Sequence, residues 1–309
     1  MVSSYDLIII GSGLAGLTAG LFAGRARLKT AVLEKEAFGG SIINAELVEN
    51  FPGFPNGVSG SKLVANLMAQ VMQYSVEFKR TKTTGIELRN DLKWVNTIEG
   101  GYFAKAVIIA GGARSKMLRI PGEEKFKGNG VFYCAMCDGN RFSNREVAII
   151  GGGDGGVTEG LYMTRIASKV TVIEILPNLS ATLVLQEKAR ANSKMEILCS
   201  TVVEAITDAG GDMKYLHLKN IENGESSNLK ASGVFIVIGL DPQTEYLKGI
   251  VDLDNMNYIV VNQNMETSIP GIFAAGDIRC GTSRQAIAAA GDGAAAALAA
   301  HKFITLKSE

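Results

Sequence analysis

The chain has 309 residues, with 31 lysines and arginines against 31 aspartates and glutamates and 47% hydrophobic residues. That length exceeds an ordinary domain of ~100–200 residues and favours two domains. The charge balance gives no field for steering onto nucleic acid or an anionic membrane, and four cysteines are too few for a disulfide scaffold. The opening MVSSYDLIII lacks the basic flank and small-residue cleavage site of a signal peptide. The longest apolar tract, 286–300, is broken by Gly291, Asp292 and Gly293, which argues against a membrane span. A cytoplasmic protein is therefore expected, one whose 36 glycines serve close backbone approach to ligands.

In chain order, the first readable unit is a strand over Leu7–Ile10, a turn opened by Gly11, a helix, and a second strand over Leu28–Leu33. Residues Trp94 to Gly112, ending in AVIIAGGA, read as a strand entering another tight glycine turn. Next come CAMCDG and then EVAIIGGGDGGVTEGLYMTRIASKVTVIE, residues 146–174, which repeats the grammar of the first unit. Two later stretches, SGVFIVIGLDPQT and SIPGIFAAGDIRCGTSRQAIAAAG, each read as strand, turn, then loop or helix. The copies lie too far apart for a solenoid, so two nucleotide-binding domains are expected. The boundaries predicted are 1–114 with 245–309 for the first and 115–244 for a second inserted into it, joined by two crossings near Arg114 and Pro242 that would serve as a hinge.

In Gly11-Ser12-Gly13-Leu14-Ala15-Gly16 the first glycine permits a tight turn, the second lets backbone approach a pyrophosphate, and the third lets helix pack on strand. The helix N-terminus offers amides and partial positive charge to phosphate. Glu34 ends the second strand, where a carboxylate accepts hydrogen bonds from a ribose. The second copy has Gly151, Gly153, Asp154, Gly155 and Gly156, with Glu174 in the acidic place. No lysine or arginine follows Glu174 until Lys188. A 2′-phosphate wants such residues just past this strand, so NADH fits the second site better than NADPH.

Cys134 and Cys137 allow three readings. Zinc needs more ligands than Cys199, Cys280, His217 and His301 offer at their spacing, so no metal is expected. A structural staple is uncommon inside cells. A reducible dithiol remains, since CxxC spacing permits a labile disulfide and a lowered thiol pKa. Asp138 is either a general acid for the departing thiolate or a turn cap before Gly139. Cys199 and Cys280 read as core fillers, and both histidines as bystanders.

The sequence as a whole resembles the low-molecular-weight thioredoxin reductases, through GSGLAG, GGS at 39–41, VENFPG at 48–53, IIAGGA at 108–113, CAMCDG, GGGDGG, VIGLDPQT at 237–244, IPGIFAAGDIRC and RQAI at 284–287. The resemblance implies an α/β fold of two Rossmann-like three-layer ββα domains, the second inserted in the first. It implies a homodimeric flavoprotein with FAD on the first fingerprint. Glu34 and Lys35 would lie by its ribose, Gly40, Ser41 and Asn50 by the ribityl chain and ring, and Ala110 and Gly111 beside it. Gly276 and Asp277 would meet the ribityl and pyrophosphate, and Arg284, Gln285, Ala286 and Ile287 the ring. Amides at the start of the alanine-rich helix would favour negative charge on a reduced flavin. Gly239 would join the second nucleotide site, which takes turns at the flavin with the disulfide by rotation of the inserted domain.

The resemblance also assigns Cys137 to the flavin side, Cys134 to attack on the substrate disulfide, and Asp138 to the acid role. Three departures stand against it. Glu174, Ile175, Leu176 and Ser180 occupy the places of a basic HRR run and a later arginine. Gly155, Gly156 and Gly160 replace better helix formers, at about 1 kcal/mol each. Asn140, Arg141 and Asn129 replace two aromatics and an arginine around the cysteines. The expected enzyme passes two electrons from NADH or another non-NADPH donor through FAD to Cys134–Cys137 and on to a thioredoxin-like protein or small-molecule disulfide. Alternatives are a ferredoxin or deazaflavin donor, or a dithiol oxidase running in reverse; a non-catalytic flavin module is disfavoured by the intact CxxCD.

Overall fold

The computed structural model describes residues 4–45, 47, 48 and 50–306; Glu49 of the VENFPG stretch lies outside them. The chain forms two compact units, one from the segments up to Arg114 and from Asp241 onward, the other from Ser115–Leu240. The first pass gives β1 (Ser4–Ile10), α1 (Leu14–Arg25), β2 (Thr30–Glu34), α2 (Gly60–Val71), β3 (Val76–Arg80), β4 (Thr83–Arg89), β5 (Leu92–Thr97), β6 (Gly100–Ile109) and β7 (Ala113–Ser115). The second unit follows with α3 (Glu123–Phe126), β8 (Val131–Phe132), α4 (Ala135–Asp138), β9 (Glu146–Ile150), α5 (Asp154–Met163) and β10 (Lys169–Ile173). It closes with α6 (Leu183–Ala191), β11 (Met195–Leu198), β12 (Thr201–Asp208), β13 (Lys214–Asn220), β14 (Ser226–Ala231) and β15 (Gly233–Ile236). The chain returns through β16 (Leu240–Pro242), β17 (Ile272–Ala274) and α7 (Ala286–Leu306). The two passages between the units, β7 and β16, form a two-stranded sheet of their own.

In the first unit β3, β2, β1, β6 and β17 pair in parallel, while β4, β5 and the start of β6 pair antiparallel. β6 is long enough to serve both: Gly100–Ala104 faces β5 and Val107–Ile109 faces β17. A strand covered on both faces should read as an unbroken apolar run, and β1 does. Leu7 and Ile9 pack with Ala19 and Ala23 of α1 and Ala296, Ala297 and Ala300 of α7, whereas Ile8 and Ile10 pack with Val251 and Ile259 on the other face. In α7 the buried positions Gly293, Ala296, Ala297, Ala300 and Ile304 follow the helical period. Among the described residues no helix is long and apolar enough to cross a membrane.

Two predicted elements differ. The second strand begins at Thr30, not Leu28, because Arg27 at φ 60° turns the chain and its N–H and that of Leu28 close the end of α1 on Gly24 and Ala23. Residues Trp94–Gly112 are not one strand but the end of β5, a turn at Ile98–Glu99, and β6; Gly100 at φ 125° and the Thr97 hydroxyl, which accepts the Glu99 N–H, make the reversal.

The second unit repeats the plan: a parallel sheet in the order β11-β10-β9-β15-β8 and an antiparallel sheet β12-β13-β14. One feature is permuted. The fifth strand of the first unit, β17, comes late in the chain and leads into Ala275-Gly276-Asp277, whereas its counterpart β8 precedes the fingerprint and leads into Tyr133-Cys134. The cysteine pair thus occupies, in its own unit, the strand end where the first unit has Asp277. Ligand sites of open parallel sheets gather at such carboxyl ends.

Candidate functional site

Gly11, at φ 104°, lies so close to the end of β6 that an added Cβ would come within 2.3 Å of the Ala110 carbonyl oxygen; Gly111 follows directly. Gly16 is tighter still, its Cβ falling 1.9 Å from the Gly11 oxygen. Gly13 caps α1 without any side-chain acceptor, which leaves the helix N-terminus to a ligand. Ser12 is fully buried, and its N–H and hydroxyl both donate to Glu34 Oε2, at 2.9 and 2.8 Å. Glu34 Oε1 accepts from the amides of Lys35 and Glu36. The carboxylate is thereby fixed at the end of β2 while staying partly exposed.

The loop at Gly39 and Gly40 closes over this turn. The Gly39 amide donates to the Ser12 carbonyl at 3.1 Å, and Gly40 approaches Gly13 so nearly that a Cβ would meet its Cα at 2.8 Å. Ser41 follows, exposed, at the start of a short 3-10 turn. Asn50 donates to Gln285 Oε1 at 3.0 Å, and Ala286 packs on the cluster of Leu14, Val48, Val58 and Leu63. Ile287, in the first turn of α7, is exposed, and Arg284 at φ 56° holds its guanidinium over the Tyr258 ring. Of the residues assigned to FAD, Gly11 to Gly16, Glu34, Gly40, Ala110, Gly111 and Ala286 are therefore brought around one glycine turn.

A second layer orients the Gly276-Asp277 corner. Arg279 and Asp292 form a two-pronged ion pair at 2.7 and 2.8 Å, and Asp292 Oδ2 also accepts the Gly276 N–H. Gly293 lets α7 meet α1, since a Cβ there would fall 2.1 Å from the Ala15 oxygen, and Gly276 touches Ala15 from the other side. Asp277 accepts the Thr282 hydroxyl at 3.4 Å, and burial raises its carboxyl above the ordinary range. Near Gly111, the buried hydroxyl of Tyr246 has no partner. A dinucleotide fits this cradle: glycine-lined, with an uncapped helix start, a fixed carboxylate and an orphan hydroxyl.

The second fingerprint has the same backbone and different company. Gly151 at φ 120° would place a Cβ 2.3 Å from the Val237 oxygen, and Gly156 one 1.9 Å from the Gly151 oxygen. Gly156 is thus the third fingerprint glycine, required by packing, and Gly160 is pressed between Met195 and Val172; Gly155 alone lacks such a reason. Glu174 is buried and already accepts from the Gly152 and Leu176 amides and the Ser180 hydroxyl, at 2.9, 3.1 and 3.2 Å. The carboxylate anticipated as a ribose acceptor is thus buried in its own loop, whereas Glu34, though it accepts at least as many hydrogen bonds, stays partly exposed. Gly153 caps α5 without a side chain, yet Asp154 begins the helix and accepts the Thr182 N–H at 2.7 Å. Gly239, at φ 110°, has the Lys116 side chain beside it.

Cys134 and Cys137 form a disulfide, with Cα atoms 5.3 Å apart. The short α4 carries it: the Cys134 carbonyl accepts the amides of Cys137 and Asp138, at 3.3 and 3.2 Å. Gly139 brings this turn onto α5, where a Cβ would meet Met163 Sδ at 2.4 Å. Below it lies a triad of Phe132, Phe142 and Phe235, with Arg141 stacked over Phe132. Upstream, buried Glu123 accepts the Tyr133 hydroxyl and the amides of Leu118 and Arg119. From α5, Glu159 accepts the Ala135 amide at 2.5 Å. Cys199 and Cys280 are free thiols, His217 pairs with Thr207 across two strands, and no metal-binding cluster occurs among the described residues.

Glu123, Glu159, Arg279 and Asp292 were not anticipated. Each is an acid, or an acid's partner, whose hydrogen bonds tie together segments apart in the chain; the one local signal was a charged residue amid apolar neighbours, as in GVTEGLYM and AAAGDGAAA.

Residues 5–293 match the family model described as pyridine nucleotide-disulphide oxidoreductase. The chain is 39% identical over 310 residues to a thioredoxin reductase from Peptoclostridium litorale, covering 98% of each. It is 39% identical to a bifunctional thioredoxin reductase/thioredoxin from Mycobacterium leprae, covering 97% of this chain and 66% of that one. Its fold matches the crystal structure of thioredoxin reductase from Streptococcus pyogenes with a TM-score of 0.89 and 38% identity over the full length of both.

Proposed function

Because the chain belongs to the pyridine nucleotide-disulphide oxidoreductases and is a flavin-dependent enzyme of the thioredoxin reductase type, we propose that it reduces the disulfide of a thioredoxin-like protein with electrons from a donor other than NADPH. The observation that carries the donor reading is the state of Glu174 and Asp154: one carboxylate buried and hydrogen-bonded within its loop, the other sitting at the start of α5. Both repel a phosphate, and Ile175 and Leu176, which follow, are exposed and apolar.

FAD, when bound, carries two electrons between the donor and the disulfide. Gly11, Gly13 and Gly16 would admit its pyrophosphate to the start of α1, Glu34 would accept from its ribose, and Asn50, Asp277 and the amides of Gln285 to Ile287 would border its ribityl chain and ring. Cys134 attacks the partner's disulfide, Cys137 resolves the mixed disulfide, and Asp138 holds the proton for the thiolate that leaves. A homodimer and a cytoplasmic setting belong to the same reading. NADH is the first donor to test, and a protein donor such as ferredoxin is the second reading, favoured by the burial of Glu174 away from any ribose.

Anaerobic mixing with NADPH, NADH or reduced ferredoxin, followed at the flavin absorbance band, tests the donor. Rapid bleaching by NADPH would overturn the proposal; bleaching by ferredoxin alone would select the second reading. For the cysteines, Cys137→Ser should accumulate a mixed disulfide with the partner and Cys134→Ser should not. The reverse pattern would exchange their roles.

A further inference from the structure

α5 supplies a carboxylate to the redox segment that the reading above leaves without a task. Glu159 accepts the Ala135 N–H at 2.5 Å, and Ala135 is fully buried. That nitrogen belongs to the peptide whose carbonyl is Cys134's, and the carbonyl in turn accepts the amides of Cys137 and Asp138. The peptide after Cys134 is therefore gripped at both ends, by the turn of α4 on one side and by Glu159 on the other. One helical turn further along α5, Met163 receives Gly139, so residues 159 and 163 seat the two ends of the same short segment.

We propose that Glu159 is the positioning residue of the redox-active segment: its carboxylate fixes the Cys134–Ala135 peptide and couples its own proton to the opening and closing of the Cys134–Cys137 bond. The proposal rests on the reading of this pair as the redox centre. Opening the disulfide takes two electrons from the reduced flavin and leaves two thiolates, each of which binds one proton on becoming a thiol. Asp138 serves one of them. An uncharged Glu159 tolerates a thiolate on Cys134, whereas an ionised one opposes it, so the carboxyl proton and the Cys134 thiolate favour each other.

The surroundings suit such coupling. Burial pushes the Glu159 carboxyl up to about 7, with the Ala135 N–H pulling the other way. The ionisable groups on the elements packed against α5 are Asp138 on α4, Arg141 in the turn after it, Glu187, Lys188 and Arg190 on α6, Glu146 on β9, Lys169 on β10 and Glu196 on β11; burial, not a neighbouring charge, drives that shift. Glu159 is therefore a buried acid that titrates near neutrality while hydrogen-bonded to the peptide after Cys134.

The test uses full-length, flavin-loaded protein carrying Cys137→Ser, so that Cys134 is a free thiol. Alkylation of Cys134 by iodoacetamide is followed by mass spectrometry from pH 5.5 to 9.5, with Cys199 and Cys280 as internal references. With Glu159 present, the rate profile should bend near pH 7 as well as at the thiol's own pKa. Glu159→Gln keeps an oxygen for the Ala135 N–H but cannot ionise; the lower bend should vanish and the rate at pH 7.5 rise about 3–10-fold. Glu159→Asp should keep the bend, and unchanged reference cysteines certify the fold of either variant. A Glu159→Gln profile within twofold of its parent at every pH overturns the proposal. Thiol counting on the wild-type protein after dithionite separates the two levels: failure to gain two thiols defeats the redox-centre reading itself, whatever Glu159 does.

Discussion

Gly16 and Gly156 hold the same place in two copies of one turn, each with its missing Cβ 1.9 Å from the oxygen of the first glycine. Beyond that shared backbone the copies diverge. In the first, buried Ser12 reaches up to Glu34, and the carboxylate stays partly exposed above it. In the second, Gly152 stands where Ser12 does, because Glu174 lies over it so closely that a Cβ would meet its Oε2 at 2.6 Å. The loops that close over the turns also correspond, through Gly39 N–H to the Ser12 carbonyl and Ala181 N–H to the Gly152 carbonyl. One loop carries glycines at positive φ, and the other sends Ser180 and Thr182 to satisfy the acids. A Rossmann-type turn is thus a backbone device, and whether it takes a dinucleotide depends on whether its carboxylate and helix start stay open to a ligand.

The sharpest break between the copies should come from their third glycines. Overpacking of this kind costs typically 1–3 kcal/mol or more. Gly16→Ala is expected to lower flavin content more than tenfold, read as the ratio of flavin to protein absorbance. Gly156→Ala should leave flavin content near wild type while slowing turnover with the physiological donor. Equal flavin loss in both would mean the two turns are not independent sites.

Next is Asp292, which braces the Gly276-Asp277 corner from the middle of α7 and has no counterpart in the second unit, where the corresponding strand end carries the disulfide. Both members of the Arg279–Asp292 pair are largely buried, at 15% and 10% side-chain exposure. Leaving Arg279 unpaired should cost on the order of 3 kcal/mol. Asp292→Asn is therefore expected to lower the melting temperature by about 5–10 °C and to weaken flavin retention; a shift under 1 °C would remove Asp292 from the flavin scaffold.

These contrasts also mark what the sequence made legible. The glycine turns, their acids and CAMCDG are local patterns, and each sits where its spacing requires. The pairings Glu159 to Ala135, Asp292 to Arg279 and Glu123 to Tyr133 join a side chain to backbone or to another side chain well separated in the chain, and no periodicity encodes such a pair. The fate of Glu174 was unreadable for the same reason: its three donors depend on how the loop 175–182 folds back. The hairpin at Ile98 was hidden because an apolar residue at a turn looks like a continuing strand.

A pH effect of intermediate size follows from Glu159, for which the first unit has no equivalent. Its carboxyl titrates near 7 when folded and near 4.3 when unfolded. The native state therefore holds a proton that the unfolded chain has released, and the stability this gives is full below about pH 4 and lost as pH rises through 7. Glu159→Gln removes that loss. The variant should gain roughly 1–3 kcal/mol over wild type between pH 5 and pH 8 in denaturant titrations; a constant difference across that range would mean the carboxyl does not titrate there.

The smallest and most discriminating change is at the start of α5. Asp154 lies where a pyrophosphate would meet the helix, and its charge compensates the helix dipole in a ligand's place. The first unit has Leu14 at that position and no such competitor. Asp154→Asn keeps an oxygen for the Thr182 N–H, so the loop should stay folded while the charge goes. A charge at a helix terminus is worth about 0.3–1 kcal/mol, so KM for NADH should fall up to about fivefold with kcat unchanged. If instead neither nucleotide's KM moves, the α5 terminus does not receive a pyrophosphate at all. The second copy of the turn would then be a scaffold for the disulfide, and the electrons would reach the flavin from a protein donor.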